Sequence, residues 1–146
     1  MSRKRYESNE DLKRESELAD EIAMRWNCDL HKLPLQYHLD FVAERDGQIR
    51  AFLEFKCRTF EMDKYPTFMI SMSKMLTARL MYGVSGKDTY LIVKWTDKIA
   101  RCDILHCKYD VAMGGRRDRG DWQDIDPCCY IPLSEFTVIA DTGSQA

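Results

Sequence analysis

The chain has 146 residues and a mass of 17.2 kDa, and 45% of its residues are hydrophobic, which suffices for one domain with one core. Its 22 lysines and arginines nearly balance its 24 acidic residues, so the net charge of −2 gives no general attraction to DNA or membranes. No apolar run approaches the ~18 residues of a membrane span, and the first five residues lead into a polar stretch rather than an apolar signal core. We therefore expect a cytoplasmic, single-domain protein that does not enter a membrane.

The amino-terminal part predicts an arm followed by a helix. Residues 1–10 are polar and charged, which is typical of a flexible basic arm. The segment Asp11–Trp26 lacks glycine and proline, and its apolar residues recur at helical spacing, which predicts an amphipathic helix. Glu15 falls within the apolar arc, whereas Glu17 and Glu21 fall on the opposite side. Because a carboxylate facing a core needs a partner, Glu15 is a candidate functional residue.

A β-hairpin is predicted next, after a connector over residues 28–34. Strands over 37–44 and 48–58 flank Asp46-Gly47, a dipeptide that favours hairpin turns. Strand alternation places Glu54 and Lys56 on the same face of the second strand.

The length of the hairpin loop decides whether Asp40, on the first strand, shares that face. A two-residue loop would pair Asp40 with Leu53 and leave Asp40 and Glu54 on opposite faces. A three-residue loop over 45–47, with its glycine in a left-handed bulge conformation, would pair Asp40 with Phe52 and return it to the face of Glu54. A site that contains Asp40 and Glu54 therefore predicts the three-residue loop.

Apolar periodicity, glycine and proline predict the remaining elements. A helix over 66–82, opened by Pro66 and closed by Gly83, should pack its apolar face on the sheet. The apolar run 90–93 suits a buried strand that runs parallel to an earlier one through a crossover. The later segments are an antiparallel strand over 99–105, a loop over 113–127, a closing helix or strand over 130–140, and a flexible tail over 141–146. This order predicts an α/β fold over residues 11–140, with a single mixed β-sheet flanked by helices.

The residue types on the hairpin indicate phosphodiester chemistry. Asp40 and Glu54 come from neighbouring strands, and carboxylate oxygens are the ligands that Mg²⁺ prefers. A divalent cation polarises a phosphate and lowers the pKa of an attacking water. Lys56 lies two residues beyond Glu54 and can orient that water or offset charge on the phosphate. Glu15, on the helix, can complete the metal shell. The alternative for Glu54 and Lys56 is a charged strand edge that serves solubility.

With these residues the chain resembles the PD-(D/E)XK nuclease superfamily, from the acidic helix through Asp40 and Glu54-Phe55-Lys56 to the crossover helix and its strand. One position departs from the motif, because Leu39 rather than proline precedes Asp40. The resemblance implies a restriction-endonuclease-like fold and a Mg²⁺-dependent deoxyribonuclease in which Mn²⁺ can replace Mg²⁺. It implies that Glu15, Asp40, Glu54 and the Phe55 carbonyl bind metal and that Asp40, Glu54 and Lys56 are catalytic.

The same resemblance frames the expected biology. It implies a structure-selective, resolvase-like enzyme or a phage or mobile-element recombination nuclease, which would act in the host cytoplasm if phage-encoded. Relatives of this fold often dimerise, so a homodimer is an expectation. DNA is the expected partner, and the residues do not separate DNA from RNA.

Four basic residues are candidates for nucleic-acid binding. Arg116, Arg117 and Arg119 lie in a glycine-rich segment and suit a phosphate clamp, since guanidinium groups bind phosphate in a fork geometry. Lys74, on the predicted crossover helix, can reach toward the same phosphate. The alternative for all four is ordinary solvated surface charge.

Six cysteines, in a chain with no apparent export signal, are expected to be reduced thiols. Cys102, His106, Cys107, Cys128 and Cys129 have donors for zinc, but no paired Cys-x-x-Cys spacing supports a zinc site. A zinc-stabilised interaction domain is therefore one alternative to a nuclease. The other is a catalytically silent nuclease-fold module that binds nucleic acid or a protein.

Overall fold

The computed structural model describes residues 9–34, 37–115 and 125–142. The helices are α1 (Asn9–Trp26) and α2 (Met72–Ser85). The strands are β1 (Asp29–Lys32), β2 (Phe41–Arg45), β3 (Gln48–Cys57), β4 (Thr67–Ser71), β5 (Thr89–Lys94), β6 (Lys98–Asp103), β7 (Asp110–Gly115), β8 (Ile125–Pro132) and β9 (Thr137–Asp141). Neither described helix combines the length and hydropathy that a bilayer crossing would require.

The larger sheet has six strands in the order β1-β2-β3-β5-β6-β9. Its central pair, β3 and β5, is parallel, and the other neighbours are antiparallel. A smaller antiparallel sheet has the order β4-β8-β7. The prediction of an α/β fold with a mixed sheet is confirmed, although the second sheet was not anticipated.

Both faces of the large sheet are buried. Alternation along β5 sends Ile92 into the cluster beneath α1, with Leu18 and Ile22, and sends Leu91 and Val93 into the cluster around α2. The prediction of a doubly buried strand reached through a crossover is therefore confirmed. The predicted apolar arc of α1 is narrower than expected, because its outermost member, Leu12, is exposed.

The predicted helix over 66–82 is wrong in its first turn. Phe68 and Ile70 alternate into the core while β4 pairs with β8, so this segment has the period of a strand. The helix starts after Ser71, whose hydroxyl accepts a hydrogen bond from the Ser73 amide. It continues through Gly83 and ends at Gly86, which adopts the left-handed conformation.

The apolar face predicted for that helix is also wrong in part. Met75 and Ala78 are buried, but Leu76 and Leu80 are exposed rather than packed on the sheet. The helix begins six residues later than predicted, and the strand that it contacts most is β8 of the smaller sheet.

Other boundaries differ because pairing with distant strands sets them. The predicted connector over 28–34 contains β1, which pairs with β2. The predicted loop over 113–127 contains the end of β7 and the start of β8, and its residues 116–124 lie outside the described part of the chain. The helix α1 begins at Asn9, inside the predicted arm. Asp141, assigned to the predicted tail, pairs with Lys98 in the sheet.

The hairpin between β2 and β3 has a two-residue turn, so the predicted three-residue loop is wrong. Arg45 pairs with Gln48, and the two turn residues both have positive φ, 55° for Asp46 and 75° for Gly47. A bulge inside β3 then adds one residue, Arg50, between the paired positions of β2. This extra residue changes the register, so the hairpin brings Asp40 opposite Glu54 by a different route.

Candidate active site

Asp40 precedes β2 and is fixed by its own backbone and side chain. Its amide donates to the Leu53 carbonyl at 3.1 Å, and its carbonyl accepts from the Leu33 amide at 2.8 Å. Its Oδ2 accepts a 2.8 Å hydrogen bond from the Phe55 amide. The carboxylate is therefore held against β3, next to Glu54, the residue that precedes Phe55.

That preceding residue, Glu54, is a buried acid with only 2% of its surface exposed. Its Oε2 lies 3.5 Å from Lys56 Nζ and 3.2 Å from Lys74 Nζ. Its Oε1 is buried and has no hydrogen-bond partner. Burial, reinforced by the negative charge of Asp40, raises the pKa of Glu54 to about 7, although Lys56 and Lys74 oppose the shift.

Lys74 reaches the site from the first turn of α2. Its Nζ also donates to the His38 carbonyl at 2.6 Å, so the lysine joins α2 to the loop that carries Asp40. The structure thus places Lys74 beside Glu54. A lysine at this position is close enough to contact a phosphate that binds next to Glu54. Its role in binding nucleic acid stays a prediction.

Glu15 lies at the same end of the molecule and is paired with a residue that the sequence did not single out. Lys32 Nζ contacts Glu15 Oε1 and lies 3.6 Å from Asp40 Oδ1. Lys32 belongs to β1, whose four residues include one apolar side chain, Leu30. Such a short segment has too weak a pattern to be recognised, and only its pairing with β2 reveals it.

The site therefore contains three carboxylates, of Glu15, Asp40 and Glu54, and three lysines interleaved with them. These carboxylates do not converge on one point, since the described residues contain one group of three metal-type donors within 4.8 Å, and it is a different one. In that group, Asp88 lies just before β5, Asp103 is the last residue of β6, and His106 follows β6.

The donors at Asp40 and Glu54 fit a hard divalent cation. Glu54 Oε1 has lost its water without gaining a hydrogen bond, which is costly for a carboxylate. The neighbouring Asp40 adds a second negative charge. A cation between the two side chains would offset both effects, and carboxylate oxygens are the ligands that Mg²⁺ and Mn²⁺ accept.

For the other predicted site residues, the structure does not test the predicted role. The Phe55 side chain is buried among the residues beneath α1, and its amide serves Asp40, so a role for its carbonyl as a metal ligand stays a prediction. Arg116, Arg117 and Arg119 lie outside the described residues.

None of the six cysteines, all of which lie in the described part of the chain, forms a disulfide bond. A hydrogen bond between the thiols of Cys102 and Cys107 lowers the pKa of Cys107 and raises that of Cys102. His106 instead contacts Asp103, with Nδ1 2.8 Å from Oδ2. Among the described residues, no three cysteine and histidine donors approach one another closely enough to share an ion. The described residues therefore contain no preformed zinc site of cysteine and histidine ligands.

Comparison with known proteins identifies relatives of this arrangement. The sequence matches a family described as "phage putative PDDEXK endonuclease" over residues 1–139. The fold is similar to that of Hjc, a Holliday junction resolvase from the archaeal hyperthermophile Archaeoglobus fulgidus, with a TM-score of 0.61 and 13% identity, covering 88% of this chain and 91% of the resolvase. No curated protein matches the sequence significantly. The predicted restriction-endonuclease-like fold is confirmed.

Proposed function

The chain belongs to the phage PDDEXK endonuclease family, and from this premise we propose that it hydrolyses phosphodiester bonds in DNA with Mg²⁺, or Mn²⁺ in its place. The observation that carries the proposal is the buried Glu54 beside Asp40, with Lys56 two residues further along the same strand. Structural acids are rarely buried with an unpartnered oxygen, and this one contacts Lys56 and Lys74 and is repelled by the nearby Asp40 carboxylate.

Asp40 and Glu54 would hold the ion, with Glu15 and the Phe55 carbonyl completing its shell. When bound there, the ion would supply Lewis-acid chemistry, polarising the scissile phosphate and lowering the pKa of the attacking water. Lys56 Nζ, beside Glu54 Oε2, would donate to that water or to the phosphate oxygen that gains charge. Lys74 would hold the Glu54 carboxylate in place and attract the substrate phosphate. Glu15 would reach that shell through a water, since Lys32 lies between it and Asp40.

Branched DNA is the substrate class that we favour. One solved structure of similar fold is a Holliday junction resolvase, and the described domain offers little surface for reading a base sequence in a groove. Shape and flexibility of the DNA would then select the cleavage site.

A cleavage assay on linear, circular and branched DNA, with a matched RNA, tests this proposal. With Mg²⁺ or Mn²⁺ we expect cuts that favour the branched substrate, and with EDTA we expect none. Glu54→Ala should abolish cleavage, whereas the matched control Glu17→Ala, an exposed acid on α1, should cut like the wild type. Binding of DNA without cleavage under any divalent ion would instead support the catalytically silent module.

Homodimerisation is a further part of the proposal. Leu76 and Leu80 lie one turn apart on α2 and are exposed by 56% and 66%, so α2 presents an apolar stripe. Sedimentation velocity over a range of concentrations would detect the dimer, and Leu80→Lys should shift the protein toward monomer.

We also propose that the protein acts in the host cytoplasm, where phage DNA is processed.

A further inference from the structure

A cavity of about 270 Å³ lies beyond the end of β3, the strand that carries Glu54 and Lys56. Arg58, which lines it, follows Lys56 by two residues, and its amide continues the sheet by donating to the Lys94 carbonyl at 2.8 Å. Residues two apart on an extended chain face the same side and lie about 7 Å apart. The cavity is therefore the next feature along the strand after Glu54 and Lys56.

Aromatic rings form much of the cavity wall. Phe68 and Trp95 are buried and meet edge to face at 5.7 Å, and Phe60 and Tyr65 meet edge to face at 5.3 Å. Tyr65 is 52% exposed although it belongs to this lining. An exposed ring beside a rigid aromatic floor offers a surface on which another flat ring can stack.

The cavity is also positively charged. Among the described residues that line the cavity, Arg58 is the one charged residue, and the lining contains no carboxylate. Its guanidinium lies 4.8 Å from the Phe68 ring centre and donates to the Cys57 carbonyl at 2.9 Å, without an ion pair to any described acid. Lys64 Nζ lies 5.1 Å and 5.5 Å from the centres of the Phe60 and Tyr65 rings. Aromatic surface beside unneutralised cations is the combination that single-stranded nucleic acid favours.

We propose that this cavity receives an unstacked nucleobase of the DNA strand beside the cleaved phosphate, while Arg58 contacts the adjoining phosphate. The inference rests on the proposed function and specifies its substrate class. The cavity is near the lower limit of the ~300–1,000 Å³ typical of ligand pockets, so it suits one ring system rather than a run of nucleotides. A base within an intact duplex is stacked and paired, so the preferred substrates carry an unpaired nucleotide next to the cut.

Two oligonucleotides of the same sequence context test the inference. One is a perfect duplex, and the other has three unpaired nucleotides at a branch, one of them a fluorescent adenine analogue whose emission falls on stacking. Binding is measured in EDTA at fixed salt, where no cleavage occurs. Tyr65→Ala removes the exposed ring, Tyr65→Phe keeps it, and Tyr82→Ala removes a similarly exposed ring on α2 as the matched control. Circular dichroism verifies that each variant is folded.

We expect the wild type to bind the branched oligonucleotide more tightly than the duplex and to quench its fluorescence. Tyr65→Ala should weaken binding of the branched oligonucleotide about 5- to 160-fold, the range that corresponds to ~1–3 kcal/mol per stacked base, and should abolish the quenching. Its binding of the duplex should change less than about two-fold, well below that stacking range. Tyr65→Phe and Tyr82→Ala should behave like the wild type.

The inference is overturned if Tyr65→Ala binds the branched oligonucleotide as well as the wild type does, or if it weakens binding of both oligonucleotides equally. Preference of the wild type for the duplex would overturn it as well. Failure of the proposed function has a different signature, because it is the absence of cleavage with Mg²⁺ and Mn²⁺. Binding in EDTA decides the role of the cavity in either case.

Discussion

Asp40 Oδ2 accepts a 2.8 Å hydrogen bond from the backbone amide of Phe55. This bond ties the loop before β2 to the middle of β3, and it directs the Asp40 carboxylate toward the neighbouring Glu54. One carboxylate oxygen thus has a structural role, while Oδ1 faces Lys32 at 3.6 Å. The two roles of Asp40 can be separated by substitution.

Asp40→Asn and Asp40→Ala should differ in stability but not in activity. The amide oxygen of asparagine can still accept from Phe55, whereas alanine leaves that amide without its partner, at a cost of about 1–3 kcal/mol. Both substitutions remove the charge, so both should lose Mg²⁺ binding and DNA cleavage. Urea denaturation, calorimetric titration with Mg²⁺ and the cleavage assay measure these effects. Full activity of either variant would remove Asp40 from the metal site.

Lys56→Ala should slow cleavage by about 10²-fold or more while metal binding persists. The reason is that Lys56 contacts Glu54 without being a metal-type donor. Single-turnover rates at saturating Mg²⁺ measure the loss, and Lys13→Ala, an exposed lysine of α1, is the matched control. A Lys56→Ala rate equal to that of the wild type would contradict the assigned role.

Lys32→Met should strengthen Mg²⁺ binding and lower the folding stability of the metal-free protein. Lys32 neutralises Glu15 and Asp40, so its loss leaves two partly buried carboxylates that a cation can neutralise instead. Because Lys32 is partly exposed, we expect an effect of about 0.5–1 kcal/mol, or two- to five-fold in Mg²⁺ affinity. Calorimetry detects the change, with Lys13→Met as the control. Weaker Mg²⁺ binding would show instead that Lys32 supports the metal-bound form.

The metal-free protein should lose stability as the pH rises from about 4.5 to about 7. Across this window, folded Glu54, with its pKa near 7, binds more protons than unfolded Glu54, with its ordinary value of 4.5. The stability that is present below pH 4.5 therefore falls by up to about 3 kcal/mol by pH 7. Urea denaturation in EDTA should show this slope in the wild type and in Glu17→Gln but not in Glu54→Gln. Identical slopes in all three proteins would refute the raised pKa.

Replacing Arg116, Arg117 and Arg119 together with alanine should weaken DNA binding and reduce its salt dependence. Each phosphate contact contributes about 0.9 to the slope of log K against log salt, so three contacts contribute about 2.7. Binding titrations at several salt concentrations measure the slope. Arg25→Ala, an exposed arginine paired with Glu21 on α1, is the control. An unchanged slope in the triple variant would exclude the phosphate clamp.

Periodicity in the sequence was sufficient to predict α1, β3, β5 and β6. The apolar residues of α1 and β3 repeat at the period of their own backbone, whereas β5 is a short continuous apolar run and β6 follows a turn after it. The pattern also singled out Glu15 as an acid on an apolar arc and placed Glu54 and Lys56 on one strand face. The resemblance to a nuclease superfamily followed from these residues and is confirmed by the family match.

Tertiary structure decided the features that depend on distant partners. The two-residue turn at Asp46-Gly47 would separate Asp40 from Glu54, and only the bulge at Arg50 restores their common face. Local sequence does not encode where a bulge falls, because the fit of two strands in the packed sheet selects it. Likewise, β4 forms because it pairs with β8. Pairing with β2 forms β1 and so positions Lys32. Local residue patterns were enough to identify the candidate side chains for the chemistry, whereas long-range strand pairing sets which of them lie side by side.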